Sequence, residues 1–147
     1  GFVYEKDSEY DKALKSCEEA IKLYTVVLGP VNQEIAKVHF TVGSAYFGQK
    51  KFSECLETWE KTLRIQRSTV GNHKDTAKTL HFIGCVHVCL GHRVKAILCF
   101  EEVGEVCRAI EMDEEDCESV ASNLRMLRQT SGVIPAGELD LRLPFGE

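Results

Sequence analysis

The sequence predicts an all-α fold in which antiparallel helix pairs stack into a superhelix. Glycines at positions 1, 43 and 84 open three similar stretches, so the pattern repeats after 42 and then 41 residues. Within each stretch the apolar residues recur with helical spacing, and alternating strand patterns are nearly absent before the C-terminal tail. A single helical hairpin cannot bury its apolar faces alone, so this period indicates hairpins that cover one another.

The first two predicted units cover residues 1–31 and 32–73. Each unit has a helix A, a turn and a helix B. Small residues let the two helices approach closely, as Gly43 and Cys55 do in the second unit, and the ring of Trp59 fills the space between them. The four helices are predicted at 1–8, 10–28, 32–48 and 52–69.

The third predicted unit covers residues 74–113 and repeats the same positions. Gly84 and Ala96 are its small residues, and Phe100 takes the place of the tryptophan ring. One more helix A follows without a helix B to cover it, and it is therefore predicted to cap the array. Helix A, helix B and the capping helix are predicted at 74–90, 93–111 and 114–129.

The last segment, residues 130–147, is predicted to be an extended tail. Glycine and proline interrupt the helical pattern there, and large apolar residues then alternate with other residues. We expect the apolar edge to dock either on the capping helix near Leu124 and Leu127 or on a neighbouring protein; a disordered terminus is the alternative. The apolar edge consists of Leu139, Leu141, Leu143 and Phe145.

Residues 1 to about 129 resemble the tetratricopeptide repeat (TPR) family. The resemblance rests on helix A motifs "VGSAYFGQKKF" and "IGCVHVCLGHR", followed by helix B motifs "SECLETWEKTLRI" and "VKAILCFEEVGEV". The repeat length is similar to that of the kinesin-light-chain and nephrocystin type. The resemblance implies a right-handed superhelix of about three repeats plus a capping helix. His87, Arg93 and Val103 depart from the family pattern, which has tyrosine, an aromatic residue and alanine at these positions.

In this family one stripe of helix A lines the concave groove of the superhelix and binds a partner segment. The resemblance implies ten partner-binding residues here, which mix basic, aromatic and apolar side chains. An acidic protein or peptide with apolar anchors is the expected complement. The paired asparagines of kinesin light chains are absent, and so is a complete carboxylate clamp of the chaperone-binding relatives. The implied groove residues are Lys37, Phe40, Ser44, Phe47, Lys78, His81, Cys85, Val88, Arg125 and Gln129.

Histidines and cysteines at positions 81, 85, 89 and 92 share one helix face and raise the question of a metal or thiol site. That stretch is about 16 Å long at 1.5 Å per residue, too long for four ligands to reach one ion. Thiols in the middle of a helix also lack the environment that lowers a thiol pKa. We therefore predict no catalytic, cofactor-binding or metal-ligating residue, no cofactor and no enzyme activity.

Composition bounds the remaining function classes. A net charge of −5 disfavours general nucleic-acid binding. No apolar run reaches the length of about 20 residues that membrane insertion requires. The seven cysteines are an odd number, and most of them lie at apolar positions of helical patterns. They indicate a reducing compartment. We therefore expect a cytoplasmic location, which includes sites associated with the cytoskeleton. The chain opens inside a helical pattern, so we expect it to be a piece of a longer protein.

These observations predict a non-catalytic protein-interaction scaffold that binds a partner segment in a concave groove. One alternative is a structural subunit of a permanent multiprotein assembly, for example a cytoskeletal or axonemal one. An enzyme that uses thiol or metal chemistry is the third hypothesis. A large apolar interface would distinguish the permanent subunit from the interaction scaffold.

Overall fold

The computed structural model describes the backbone of residues 2–129 and the side chains of residues 8–129, except that of Asp116. Within these residues the chain forms six α-helices and no strand, which confirms the predicted all-α class. None of these helices combines the length and apolarity needed to span a bilayer. The predicted tail at 130–147 lies outside the described residues. The helices are α1 (Phe2–Leu28), α2 (Gln33–Gly48), α3 (Phe52–Thr69), α4 (Lys74–Cys89), α5 (Arg93–Ala109) and α6 (Glu114–Gln129).

The chain divides into two compact units, Gly1–Gly71 and Asn72–Glu147. In the first unit α2 packs against both α1 and α3. Asn32 caps the start of α2, because its Oδ1 accepts a hydrogen bond from the backbone N–H of Ile35 at 3.0 Å. After α2 the chain reverses through Lys50, which has a left-handed φ of 59°, and α3 returns antiparallel to α2.

Gly43 and Trp59 hold α2 and α3 close together. Only 2% of Trp59 is exposed. Its indole ring occupies the space that a Cβ atom on Gly43 would need. The indole Nε1–H donates to the carbonyl oxygen of Phe40 at 3.0 Å. The glycine and the ring therefore play the packing roles predicted for them.

The first unit differs from the prediction at its start. The sequence pattern predicts two helices, at 1–8 and 10–28, but α1 is one continuous helix from Phe2 to Leu28. Residues 4–12 contain neither glycine nor proline, so nothing in the sequence interrupts the backbone hydrogen bonds there. The helix ends where Gly29 adopts a φ of 87° before a proline.

The second unit contains the α4/α5 hairpin and α6, which packs against α5. His73 caps α4 by accepting a hydrogen bond from the backbone N–H of Asp75 at 3.0 Å. Gly91, with a φ of 77°, forms the turn between α4 and α5. Ala96 and Phe100 are fully buried. Both occupy the positions predicted to bring helix A and helix B together.

Side-chain interactions of Arg93 and Arg128 help to join α5 to α6. The guanidinium of Arg93 donates from Nε to the carbonyl oxygen of Leu127 at 2.6 Å, and its Nη2 donates to the same oxygen. Arg128 forms an ion pair with Glu101 at 3.2 Å. Arg93, which departs from the family pattern, thus donates hydrogen bonds to a carbonyl group near the end of α6.

Candidate functional site

The predicted groove residues of the first unit form one stripe along α2. Positions 37, 40, 44 and 47 share a helix face. Lys37 and Ser44 are exposed, whereas Phe40 and Phe47 are half-buried. The Lys37 ammonium lies 3.5 Å from the carboxylate of Glu34, and the Ser44 hydroxyl donates to the carbonyl oxygen of Phe40 at 3.1 Å. The stripe therefore presents a cation, a hydroxyl and parts of two aromatic rings.

The two aromatic rings of this stripe are held by α3. Phe40 stacks on Trp59 with ring centroids 5.4 Å apart, and Phe47 stacks on the same indole at 6.0 Å. Phe47 also meets Phe52 edge to face at 5.6 Å. Because each ring is fixed by packing on one side, binding a partner on the other side would cost little side-chain entropy.

In the second unit the corresponding stripe of α4 is largely buried. Lys78 is half-buried, whereas His81, Cys85 and Val88 are buried. The His81 ring lies edge to face against Phe100, with centroids 5.6 Å apart, and its Nε2 is 3.8 Å from the Cys85 sulfur. These three side chains are buried and do not face solvent.

The sequence of α4 contains the signal for this burial. Eleven of its 16 residues are buried. After Asp75 the helix carries one further charged residue, Lys78, and apolar residues lie on every side. A helix that is apolar all round is enclosed by its neighbours, and a single outward stripe cannot be assigned to it from phase alone.

Burial disfavours the thiolate form of Cys85. Burial, followed by the neighbouring Cys89 and Cys99, raises the pKa of Cys85 to about 12. At neutral pH the group is a protonated thiol that packs as a small apolar side chain. In the part of the chain that the structure describes, no group of three or more His, Cys, Asp or Glu side chains is placed to hold a metal ion.

Arg125 and Gln129, the predicted groove residues of α6, are both exposed. The guanidinium of Arg125 pairs with Glu118 two turns earlier in the same helix. Exposed ion pairs of this kind contribute little to stability, so a partner carboxylate can compete for Arg125 at small cost. The same holds for Lys37 and its partner Glu34.

A histidine pair at the α4/α5 turn is a feature that the sequence analysis did not assign. The Nδ1 atoms of His87 and His92 lie 3.3 Å apart. One ring must therefore donate and the other accept, which requires at least one neutral imidazole. Burial, then His92, then Lys95 lower the pKa of His87.

Comparison with known proteins identifies the repeats. The tetratricopeptide repeat family matches residues 34–109, which is more than half of the chain and contains both helical hairpins, α2/α3 and α4/α5. A search of curated proteins finds no match. Repeats of this family generally mediate protein–protein interactions. Two antiparallel hairpins, each with a small residue and a large ring between its helices, together with this match, show that the chain belongs to the tetratricopeptide repeat family.

Proposed function

We propose that the chain is a non-catalytic scaffold that binds a segment of a partner protein along helix A stripes. The observation that carries the proposal is the α2 stripe. There Lys37 and Ser44 are exposed beside the half-buried rings of Phe40 and Phe47. An exposed cation next to ordered aromatic rings suits a segment that carries both a carboxylate and an apolar anchor.

The proposed partner is acidic with apolar anchors. Lys37 and Arg125 provide exposed positive charge, and their present partners are exposed glutamates of their own helices. Lys78 and Gln129 complete the proposed surface. We leave out His81, Cys85 and Val88, because their side chains are buried.

We further propose a repeat type, a cellular location and membership of a complex for this chain. A spacing of 42 and 41 residues supports a repeat of the kinesin-light-chain type. A cytoplasmic location, including cytoskeleton-associated sites, is supported by the seven cysteines, all of which are free thiols. We also propose that the chain is part of a larger protein complex.

One observation favours the alternative function, a structural subunit of a permanent assembly. The C-terminal half of α1 and the following loop expose large apolar side chains, and Val26 is 85% exposed. Clusters of exposed apolar residues are typical of protein interfaces. A permanent subunit would bury this cluster and would be unstable or aggregated in isolation. The cluster consists of Leu23, Val26, Val27, Leu28 and Val31.

Charge reversal along the stripes tests the proposed function. The variant combines Lys37→Glu, Lys78→Glu and Arg125→Glu, and a second variant omits the change at Lys78, which is half-buried. Proteins captured from a cell extract by the wild-type chain are quantified by mass spectrometry for each variant. We expect both variants to lose the same partner, and we expect wild-type capture to weaken as salt rises.

The matched control reverses three exposed lysines of α1, at positions 12, 15 and 22. Its net charge equals that of the triple variant, so a non-specific charge effect would appear in both. A photo-cross-linking residue at Ser44, compared with one at Ser16 of α1, locates the partner directly. Unchanged capture by stripe variants with native circular dichroism would refute the proposal. Cross-links from position 16 alone would instead favour the permanent-assembly alternative.

A further inference from the structure

The first unit carries an open cleft between α2 and α3. From α3 the lining residues occur at positions 61, 64, 65 and 68, a spacing that places them on one helix face. Val31 and His39 line the opposite wall. The cleft is lined by Val31, His39, Lys61, Arg64, Ile65 and Ser68.

This cleft is cationic although the chain as a whole has a net charge of −5. Lys61 and Arg64 are exposed, and neither forms an ion pair with any residue that the structure describes. Glu57 and Glu60 precede them by one helical turn, the spacing at which ion pairs usually form. The described lining residues include no carboxylate. Two positive charges thus line the cleft, while the nearest acidic residues of α3, Glu57 and Glu60, lie outside its lining.

The surroundings of His39 reflect the positive charge of the cleft. Its side chain is half-buried on the α2 wall. Burial, followed by the charge of Lys61, lowers the pKa of His39. Both effects favour the neutral imidazole, which can accept or donate a hydrogen bond.

We propose that this cleft binds a carboxylate side chain of an acidic partner segment, and that an adjacent apolar side chain of the segment packs against Val31 and Ile65. The Arg64 guanidinium can donate two parallel hydrogen bonds to a carboxylate, and the Lys61 ammonium supplies a second charge. The Ser68 hydroxyl can donate a further hydrogen bond. The apolar residues on the two walls explain why a peptide would bind better than a free ion.

Charge favours an acidic peptide over polyanionic surfaces as the ligand. Two cations and one histidine match the one or two carboxylates of a short acidic segment. A nucleic acid or an anionic bilayer would also meet the excess negative charge elsewhere on this chain. A short protein segment touches only the cleft and avoids that repulsion.

The cleft is separate from the surface of the proposed function. His39 lies two residues after Lys37, which rotates it by about 200° around the α2 axis. The two proposals therefore perturb different residues and can fail independently of each other.

Titration of the isotope-labelled full chain tests the proposal by nuclear magnetic resonance. The probe is the peptide acetyl-Leu-Glu-Glu-Leu-amide, and the matched neutral probe is acetyl-Leu-Gln-Gln-Leu-amide. We expect the acidic peptide to shift the amides of residues 61–68 and the ring resonances of His39 saturably. The neutral peptide should bind more weakly, and added salt should weaken only the acidic peptide.

Variants assign the effect to the cations. The double variant Lys61→Gln, Arg64→Gln should bind the acidic peptide about tenfold more weakly, because it removes two exposed charge contacts. Both residues are exposed, so the variant should fold. The control Lys12→Gln, Lys22→Gln makes the same change in net charge at exposed positions of α1 and should bind like the wild type.

Four outcomes of the peptide experiments would overturn the proposal. They are equal binding of the two peptides, shifts confined to positions 37, 40, 44 and 47 of the α2 stripe, equal weakening by both double variants, and no saturable shift. Inorganic phosphate and acetate form a separate arm of the experiment. Tighter binding of phosphate at the same residues would replace the carboxylate with a phosphoryl group and refute the carboxylate assignment.

Discussion

Trp59 shows how a single side chain organises the first unit. It stacks on Phe40 and Phe47, donates a hydrogen bond to the backbone of Phe40 and lies against Gly43. The same ring thus supports both the fold and the aromatic part of the proposed binding stripe. A change at this position should affect stability and partner binding together.

Replacing Trp59 with alanine should therefore lower the free energy of unfolding by about 3–5 kcal/mol, through lost apolar burial and the cavity left behind. The measurement is urea unfolding followed by circular dichroism, because the variant has no tryptophan fluorescence. Trp59→Phe keeps an aromatic ring and should cost less. A decrease of less than about 1 kcal/mol in the free energy of unfolding of the alanine variant would show that Trp59 is not a core residue.

His87 should make the stability of the chain depend on pH. The pKa of His87 in the folded chain lies below its ordinary value of 6.5, so the unfolded chain binds the proton more readily. Its contribution to stability is then fully present above about pH 6.5 and is lost as the pH falls through the folded pKa. Unfolding midpoints in urea, measured between about pH 7.5 and pH 5, should decrease accordingly.

The variant His87→Tyr tests the source of this pH dependence. It places at position 87 the residue found at the equivalent position of the second repeat, Tyr46. The stability of the variant should vary less with pH than that of the wild type. Part of the slope should remain, since the pKa of His39 is lowered as well. His73→Asn, which keeps a capping residue, is the control, and equal slopes for His87→Tyr and the wild type would contradict the prediction.

At the scale of elements, close helix pairing depends on which glycines face a neighbour. A Cβ atom on Gly43 would collide with the indole of Trp59, whereas one on Gly104 of α5 would meet only the Arg108 guanidinium at 3.5 Å. Both glycines lie inside helices. The sequence alone does not distinguish their surroundings.

Gly43→Ala should therefore destabilise the first unit, because the rigid indole or the α2 backbone must move. Gly104→Ala should be neutral or should stabilise the chain by up to about 1 kcal/mol, through the better helix propensity of alanine. Thermal unfolding of the two variants gives the comparison. Equal midpoints would mean that α2 and α3 are not packed as closely as described.

The elements also explain the outcome for the predicted groove. On α2 the predicted stripe exposes one charged residue, Lys37, and one polar residue, Ser44. On α4 the same phase falls on His81 and Cys85, which are buried because that helix is apolar on every side. The repeat phase places equivalent positions, but the neighbours of each helix determine which positions reach solvent.

At the scale of the whole molecule, each of the two units contains one complete helical hairpin and one further helix. In the first unit the further helix is α1, whose C-terminal half exposes an apolar cluster. In the second it is α6, which α5 holds through Arg93 and the ion pair of Arg128. The apolar edge predicted for the tail is a further candidate contact of α6, and it lies outside the described residues.

Deleting residues 138–147 tests that edge. If the edge docks on α6 near Leu124 and Leu127, deletion should lower the thermal midpoint, by roughly 2–4 °C for each kcal/mol of lost docking energy. If it docks on a neighbouring protein, deletion should break assembly and leave the monomer unchanged. The control Asp140→Ala, Arg142→Ala changes only polar positions and should have neither effect. An unaltered midpoint together with unaltered assembly would leave the tail without a docking role.

The sequence by itself determined the all-α class, the repeat spacing and the pairing of helices, because apolar periodicity and recurring small residues act locally and repeat along the chain. The apolar composition of α4 indicated its burial, but the tertiary structure decided which individual residues reach solvent. It joined the two helices predicted at 1–8 and 10–28 into α1, enclosed His81 and Cys85, and placed Lys61 and Arg64 opposite His39. The physical reason is that burial and charge environment depend on neighbouring helices, which the spacing within one helix does not specify.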